Sequence, residues 1–470
     1  MLQEITKTIH MGVERKGENM RSKLVRNFGK RALAMALSVL MVLSLFVYFD
    51  LGGTAHADGV NWVHLDGQDG RPNMPGHAVA FTRSGFNTLV SGAAHISIHT
   101  VHLGNDLSVS GTRVTANRNL TICGFNPMGP NPTHRHTITR AGAGLFNVTA
   151  NRTITFQNLH MVNTQSRDGF IGAGGSGGPT WTTIFDNVDF GNRMIVNLHG
   201  STVILRGNNY FRNATDELFQ ASHFYIEGEN NVMRRTASGS HSMIWNHASQ
   251  SRFVVRTGGS LIVHQEHDQT NRGFMWDIGG LRMTVEAGGV FEYYNTGANG
   301  VFMGEGNLFA GGRFTGLTVN GRFVAMAVNG GTAAARGHLI DVNTMYVGRG
   351  ADVVIATGAN AGARSPLHIR GTLQITQPYR YLVYTNSSAA RAISAEGSAN
   401  VDILANRVGT NLTATGLSHI GYGWEYTMQY QYTLNDLFLS SSIQLTENKY
   451  RLIIQFLSLV FMIHEVWLNE

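Results

Sequence analysis

Cysteine is nearly missing: Cys123 is the single one in 470 residues. One thiol rules out any intramolecular disulfide and any cysteine-built metal cluster, and its plain reading is a small buried apolar side chain. Proline is scarce at 8 residues while glycine stands at 56, so the chain is neither collagen-like nor a proline-rich disordered segment. Charge is thin as well, at 14% of residues. The net charge of +6 shrinks when divided, because residues 1–57 hold eight Lys or Arg and four Asp or Glu, leaving 28 cations against 26 anions, or +2, for the rest. A nearly neutral body lacks the clustered cations of a nucleic-acid groove, so nucleic acid is not an expected partner. Lysine occurs only once after residue 57, as Lys449, a habit to which no mechanism attaches.

What is present begins with Arg21, Lys23, Arg26, Lys30 and Arg31, followed by an uncharged run from Ala32 to Phe49 and then Ala55-His56-Ala57. A basic region, an apolar run and a small-X-small site form the pattern of a secretory signal peptide, with cleavage expected after Ala57. The run of about eighteen residues also suffices for an uncleaved membrane anchor. Both readings export the body of the chain beyond residue 57 and confine membrane contact to residues 1–57. Met20 serves equally well as a start, since residues 1–19 add nothing the signal needs.

Residues 58–94 form an irregular N-terminal cap region, with Asp66-Gly67 and Asp69-Gly70 turns and a short helix expected over His77 to Val90. From residue 95 to 423 the chain is a series of short strand-like runs recurring at roughly twenty to thirty residues, with few helical patterns between them. In Asn151 to Asn163, Ile154, Phe156 and Leu159 alternate with polar residues as in a strand buried on one face. Asn126, Asn158, Asn187, Asn208 and Asn230 close or follow such runs, as expected if aligned asparagines ladder between stacked coils. Gly258-Gly259-Ser260, Gly288-Gly289 and Gly311-Gly312 suit coil corners. The Asn-Gly pairs at 299, 320 and 329 predict a local hairpin or a shift in coil geometry. Together these features predict an all-β chain folded as a parallel β-helix, with a β-sandwich as the rival. Residues 424–470 contain no glycine and include a nearly continuous apolar run, Leu452 to Ile463, which reads as a cover for the solenoid end or as a truncated or shifted segment.

Several segments in order resemble a known family. They are His102 to Val109, Arg118-Asn119-Leu120-Thr121-Ile122-Cys123-Gly124, His136 to Arg140, Leu145 to Val148 running into Asn151 to Leu159, and Phe253 to Leu261 with its strand-Gly-Gly-Ser-strand pattern. Over roughly residues 95 to 380 the chain resembles the pectate lyase-like adhesive domain of Gram-positive bacterial surface proteins. The resemblance implies a right-handed β-helix, a place outside a bacterial cell or on its surface, attachment to glycans or matrix proteins, and no catalytic residues. Members of that family commonly carry further repeats or a wall anchor, and this chain shows neither.

Trp245-Asn246-His247-Ala248-Ser249 superficially resembles the Trp-Ile-Asp-His stretch of true pectate lyases. An amide stands where those enzymes have an acid, and calcium prefers several carboxylates, so no catalytic role is expected. A glycoside hydrolase needs two acids facing across a cleft, and the spacing of the many acids, among them Asp186, Asp189, Asp216, Glu217, Glu227 and Glu229, singles out no pair. On strands, His95 and His99 would share one face and His134 and His136 another, yet no third metal ligand is placed, so no metal or cofactor is expected. Aromatic residues beside polar groups point instead to ligand contact, with Tyr379, Tyr381 and Tyr293 expected on a flank. Three functions remain open on these grounds: an adhesin binding an extracellular glycan or matrix protein, a secreted lyase or hydrolase acting on an acidic glycan, and a structural stalk. The first is preferred, because export, near-neutral charge, coil repeats and the resemblance agree while no motif demands chemistry.

Overall fold

The computed structural model describes residues 61–404, apart from a number of connecting loops, and the two short strands Leu412–Thr413 and Glu425–Tyr426. The signal region 1–57 and nearly all of the tail 424–470 lie outside the described residues, as do Gly311-Gly312, Asn299-Gly300 and Asn329-Gly330. No helix among the described residues is long and apolar enough to cross a membrane.

The fold is a parallel β-helix. It opens with Trp62–Asp66 antiparallel to Asn73–Ala80, after which Asn73–Ala80 pairs parallel with Thr100–Leu103. Parallel pairing then continues to Asn400–Leu404. The central coils place strands on three faces, and equivalent residues of successive coils stand 20 to 34 positions apart, as in Thr182 beside Thr202 and Met283 beside Leu317. The first face carries Thr202–Gly207, His223–Ile226, Arg252–Val255 and Arg282–Val285; the second carries Tyr210–Asn213, Asn231–Arg235, Ser260–Gln265 and Val290–Asn295; the third carries Phe219–Ala221, Ile244–Asn246 and Met275–Asp277.

One helix, Arg83–Ser91, sits beside the first coil and sends Phe86, Leu89 and Val90 into the core. The expected helix over 77–90 starts later than its apolar residues suggest because His77 to Ala80 are committed to the sheet. Its true signal is Thr82, an extended N-cap whose hydroxyl accepts from Gly85 N at 3.1 Å.

Inside, the coils bury a continuous apolar column. Phe156 lies on Phe185 at 5.6 Å, Phe224 on Phe253 at 5.8 Å and Phe291 on Phe323 at 5.5 Å, ring to ring. Each such side chain contributes about 1.5–3 kcal/mol by leaving water. Strand Arg152–Asn163 shows how the column is fed: Ile154 and Phe156 point inward, then the parity changes and Leu159 and Met161 point inward. The change falls on Asn158, whose φ of 53° turns the chain from first face to second.

The same corner recurs at Asn187, Asn208 and Asn230, with φ of 59°, 49° and 59°, and then passes to Gly258, Gly288 and Gly350, with φ of 76°, 76° and 73°. Asparagine and glycine are the residues that enter this left-handed region at least cost. The predicted ladder forms: Asn187 Nδ2 donates to Asn158 Oδ1 at 2.6 Å and Asn230 Nδ2 to Asn208 Oδ1 at 3.3 Å. A second rung lies just inside it, where Asn209 Nδ2 donates to Asn231 Oδ1 at 2.7 Å. Asn126 differs, capping a local turn by accepting from Met128 N at 3.0 Å. No hairpin forms at Asn320-Gly321, since the flanking strands pair parallel with neighbouring coils. Glycine is needed there because a Cβ on Gly321 would meet Glu286 O at 2.3 Å and Gly289 O at 2.4 Å.

Candidate ligand-binding flank

Because coils stack in register, every outward position becomes a column running along the solenoid at a rise of about 4.8 Å per coil. On the first face one column reads Thr182, Thr202, His223, Arg252, Arg282, Gly316, and its neighbour reads Ile204, Tyr225, Val254, Thr284, Thr318, Tyr346. Arg252 and Arg282 are exposed, stand directly beside each other, and make no ion pair among the described residues. Nearby Tyr225 carries the guanidinium of Arg256 over its ring at 5.1 Å, and that arginine is held by Glu286 at 3.1 Å. His223 precedes them in the column, and burial first, then the charge of Arg252, lowers its imidazole pKa. Two exposed guanidiniums side by side on one sheet face present the paired N–H groups with which arginine engages planar anions.

The acids are placed very differently. Asp189 pairs with Arg212 at 3.1 Å, Glu266 with Arg234 at 2.9 Å and Asp341 with Arg370 at 2.5 Å. Glu292, Arg322, Asp352 and Arg380 form an unbroken ladder, with contacts of 2.7, 2.5 and 2.6 Å. Burial works against the Asp352 carboxylate, but its two arginines outweigh it and hold its pKa below the ordinary value. Asp186 and Asp189 both face outward, on either side of the Asn187 corner, and Asp186 accepts from Gln157 Nε2 at 3.0 Å. Their spacing of three does not throw them to opposite faces of one strand, because the corner resets the alternation. Among the described residues these acids are engaged by arginine or amide donors, an arrangement that stiffens the outer surface rather than poising a pair of carboxylates.

The tyrosines expected to contact ligand separate. Tyr293 is fully buried, stacked in register between Val263 and Ala325, with its hydroxyl accepting from Asn295 Nδ2 at 2.9 Å. Tyr381 belongs to the inward column of Val353 and Phe323 and packs against the core. Burial raises the phenol pKa of both. Tyr293 cannot present its ring to a ligand, and Tyr381 is turned largely inward. Only Tyr379 is on the surface, at 81% exposure, joined by Tyr346 at 43%. The error was one of parity, since strand Arg380–Thr385 begins after Tyr379 and counts from its own corner.

Asn246 is buried on the third face, between Ala221 and Asp277, and cannot offer its carbonyl oxygen to an ion on the flank. His247 lies outside the described residues. His95 and His99 do not share a strand: His95 ends a 3-10 turn and packs edge-on to Trp62 at 4.5 Å, while His99 packs against His77 at 5.0 Å. His134 and His136 do come together, with ring centroids 4.9 Å apart. Cys123 is buried, and burial raises its thiol pKa.

Sequence reasoning missed Arg252 and Arg282. They lie 30 residues apart in ordinary surroundings, and only the coil length makes them neighbours; the repeated Arg-Phe-Val-Val and Arg-Met-Thr-Val starts before Gly-Gly turns were the available signal. Comparison with protein-family models, curated proteins and solved structures yields no match, so the likeness to the pectate lyase-like adhesive domain rests on the sequence segments alone.

Proposed function

We propose that the chain is a non-catalytic exported surface protein of a bacterium, whose β-helix adheres through its first face to extracellular glycans or matrix proteins bearing carboxylate or sulfate groups. The single observation that carries this reading is the open arginine pair, Arg252 and Arg282, side by side on the first face. Export rests on the basic, apolar and Ala-His-Ala segments of residues 1–57. The sequence resemblance to the adhesive domain agrees with both parts.

The arginine spacing follows from coil stacking, so an extended polyanion lying along the solenoid axis meets successive donors without bending. The test is binding of the chain to arrays of acidic glycans and matrix proteins, with the length of bound glycans measured afterwards. Saturable binding of intact ligand, weakened about tenfold or more in Arg252→Ala/Arg282→Ala, supports adhesion, since each exposed charged contact contributes roughly 1 kcal/mol. Shortened glycans, or binding indifferent to both arginines, would refute it.

A further inference from the structure

His134 and His136 acquire a partner that the sequence did not place. Asp106 lies in the turn between Thr100–Leu103 and Leu107–Val109, and His136 directly precedes the paired strand Thr137–Arg140, so stacking of these coils brings the three side chains to one spot. A nitrogen from each ring and a carboxylate oxygen all lie within 4.8 Å of one another. His136 Nδ1 stands 3.4 Å from Asp106 Oδ1.

That separation is informative. Two donors on one tetrahedral ion at bonds of about 2.0–2.1 Å are about 3.3 Å apart, so two of the three ligands already span an edge of the polyhedron. The third, His134, is exposed and has a ring nitrogen within 4.8 Å of the other two donor atoms. The frame around them is held. Asp106 Oδ1 accepts from Thr137 N at 2.7 Å, His136 N donates to Gly124 O at 3.0 Å, and His134 N donates to Asn131 O at 3.1 Å. The Thr137 N–H orients the Asp106 carboxylate as an outer-shell partner does in a metal site, and the other two bonds fix the backbone that carries the histidines.

We propose that Asp106, His134 and His136 bind one divalent transition-metal ion of the zinc class. Two imidazoles and one carboxylate favour such an ion over calcium or magnesium, which prefer oxygen alone. Three protein ligands leave at least one position open to water or to a donor from outside, and Asp106 is 66% exposed at the site's mouth. The ion ties the 104–106 turn to the 124–136 loop, at the solenoid end beside the N-terminal cap. Among the described residues the other histidine groups lack this geometry. His77 and His102 spend ring nitrogens on each other at 3.0 Å, and His102 on Phe125 O at 2.7 Å; His64 and His95 bring only two rings.

The experiment is titration of the chelator-stripped full chain with zinc chloride, followed by calorimetry, with cobalt(II) as an optical probe in the visible range. One saturable site at a Kd below about 100 µM is expected, weakened at least tenfold in His134→Ala, an exposed position that leaves the fold intact, and in His136→Gln. His95→Ala should bind as the wild type does. The cobalt(II) ligand-field bands should vanish in His134→Ala. Absence of saturable binding, undiminished affinity in His134→Ala, or an equal loss in His95→Ala would overturn the assignment.

Discussion

The corner asparagines allow one substitution series to separate backbone conformation from side-chain hydrogen bonding. Asn187 is the informative position: its φ is 59°, its Nδ2 donates to Asn158 Oδ1 at 2.6 Å, and its Oδ1 accepts from Arg135 Nη2. Asn187→Ala removes both contacts and places a Cβ-bearing residue with no local polar compensation in the left-handed region. The conformational part costs about 1 kcal/mol and the lost hydrogen bonding about 1–2 kcal/mol, so about 2–3 kcal/mol in total. Asn187→Gly loses the same contacts but fits the backbone, so it should cost about 1–2 kcal/mol, the hydrogen-bond share alone. The later corners supply the converse. Gly258 has φ of 76° and nothing within 4 Å of an added Cβ, so Gly258→Ala isolates the backbone cost at about 1 kcal/mol, and Gly258→Asn should cost less. Urea midpoints read the order, with wild type above Asn187→Gly and Asn187→Gly above Asn187→Ala. If Asn187→Gly proved as destabilising as Asn187→Ala, the left-handed conformation would not be what selects asparagine at these corners.

Three further outcomes are expected from the same geometry. Gly228→Ala should prevent folding or cost more than about 3 kcal/mol, because the new Cβ falls 1.2 Å from Arg206 O, whereas Gly316→Ala, with its nearest neighbours at 3.9 Å, should be nearly neutral; equal soluble yields and urea midpoints would contradict this. His102 is held neutral by burial, with His77 adding to the effect against the pull of Phe125 O, and its pKa is lowered to about 4. Its unfolded value is near 6.5, so its contribution is intact above that pH and is lost as pH falls from about 6.5 to about 4, reaching about 3 kcal/mol. His102→Gln should therefore shrink the drop in urea midpoint between pH 7.5 and pH 4.5, and an unchanged drop would count against it. Tyr346→Ala should weaken glycan binding about fivefold without altering the urea midpoint, as expected for loss of one exposed stacking surface worth about 1 kcal/mol, while a fall in stability would place that ring in a structural role.

Much of the fold was legible because a solenoid writes its cross-section into the chain repeatedly. Ile154 and Phe156, then Leu159 and Met161, show both the inward alternation and the place where it breaks, and the asparagine at the break is the residue that the corner needs. Features that depend on coil length were not legible. Tyr379 and Tyr381 have the same parity in sequence, yet one is on the surface and one packs against the core, because the strand between corners starts its own count. Asp186 and Asp189, three apart, would be opposed on one regular strand, and the Asn187 corner instead leaves both outward. The Arg252 and Arg282 pair and the Asp106, His134 and His136 cluster each join residues from different coils, and no local period carries that information.

Charge placement distinguishes the two classes of function more sharply than composition does. A glycan-cleaving site on a β-helix needs carboxylates free to take up protons or hold calcium, and must keep them desolvated without neutralising them. Here the arginines do the opposite work at many of the described acidic positions: Arg322 bridges Glu292 and Asp352, and Arg380 grips Asp352 through two nitrogens at 2.6 and 2.9 Å. A carboxylate whose pKa is held down by two guanidiniums is a poor general acid and has little residual affinity for a cation. Cations, by contrast, are left open where the first face turns to solvent, at Arg252 and Arg282. A surface that pairs many of its described acids and leaves Arg252 and Arg282 unmatched offers positive charge to a ligand, in keeping with the adhesion to acidic glycans that we propose.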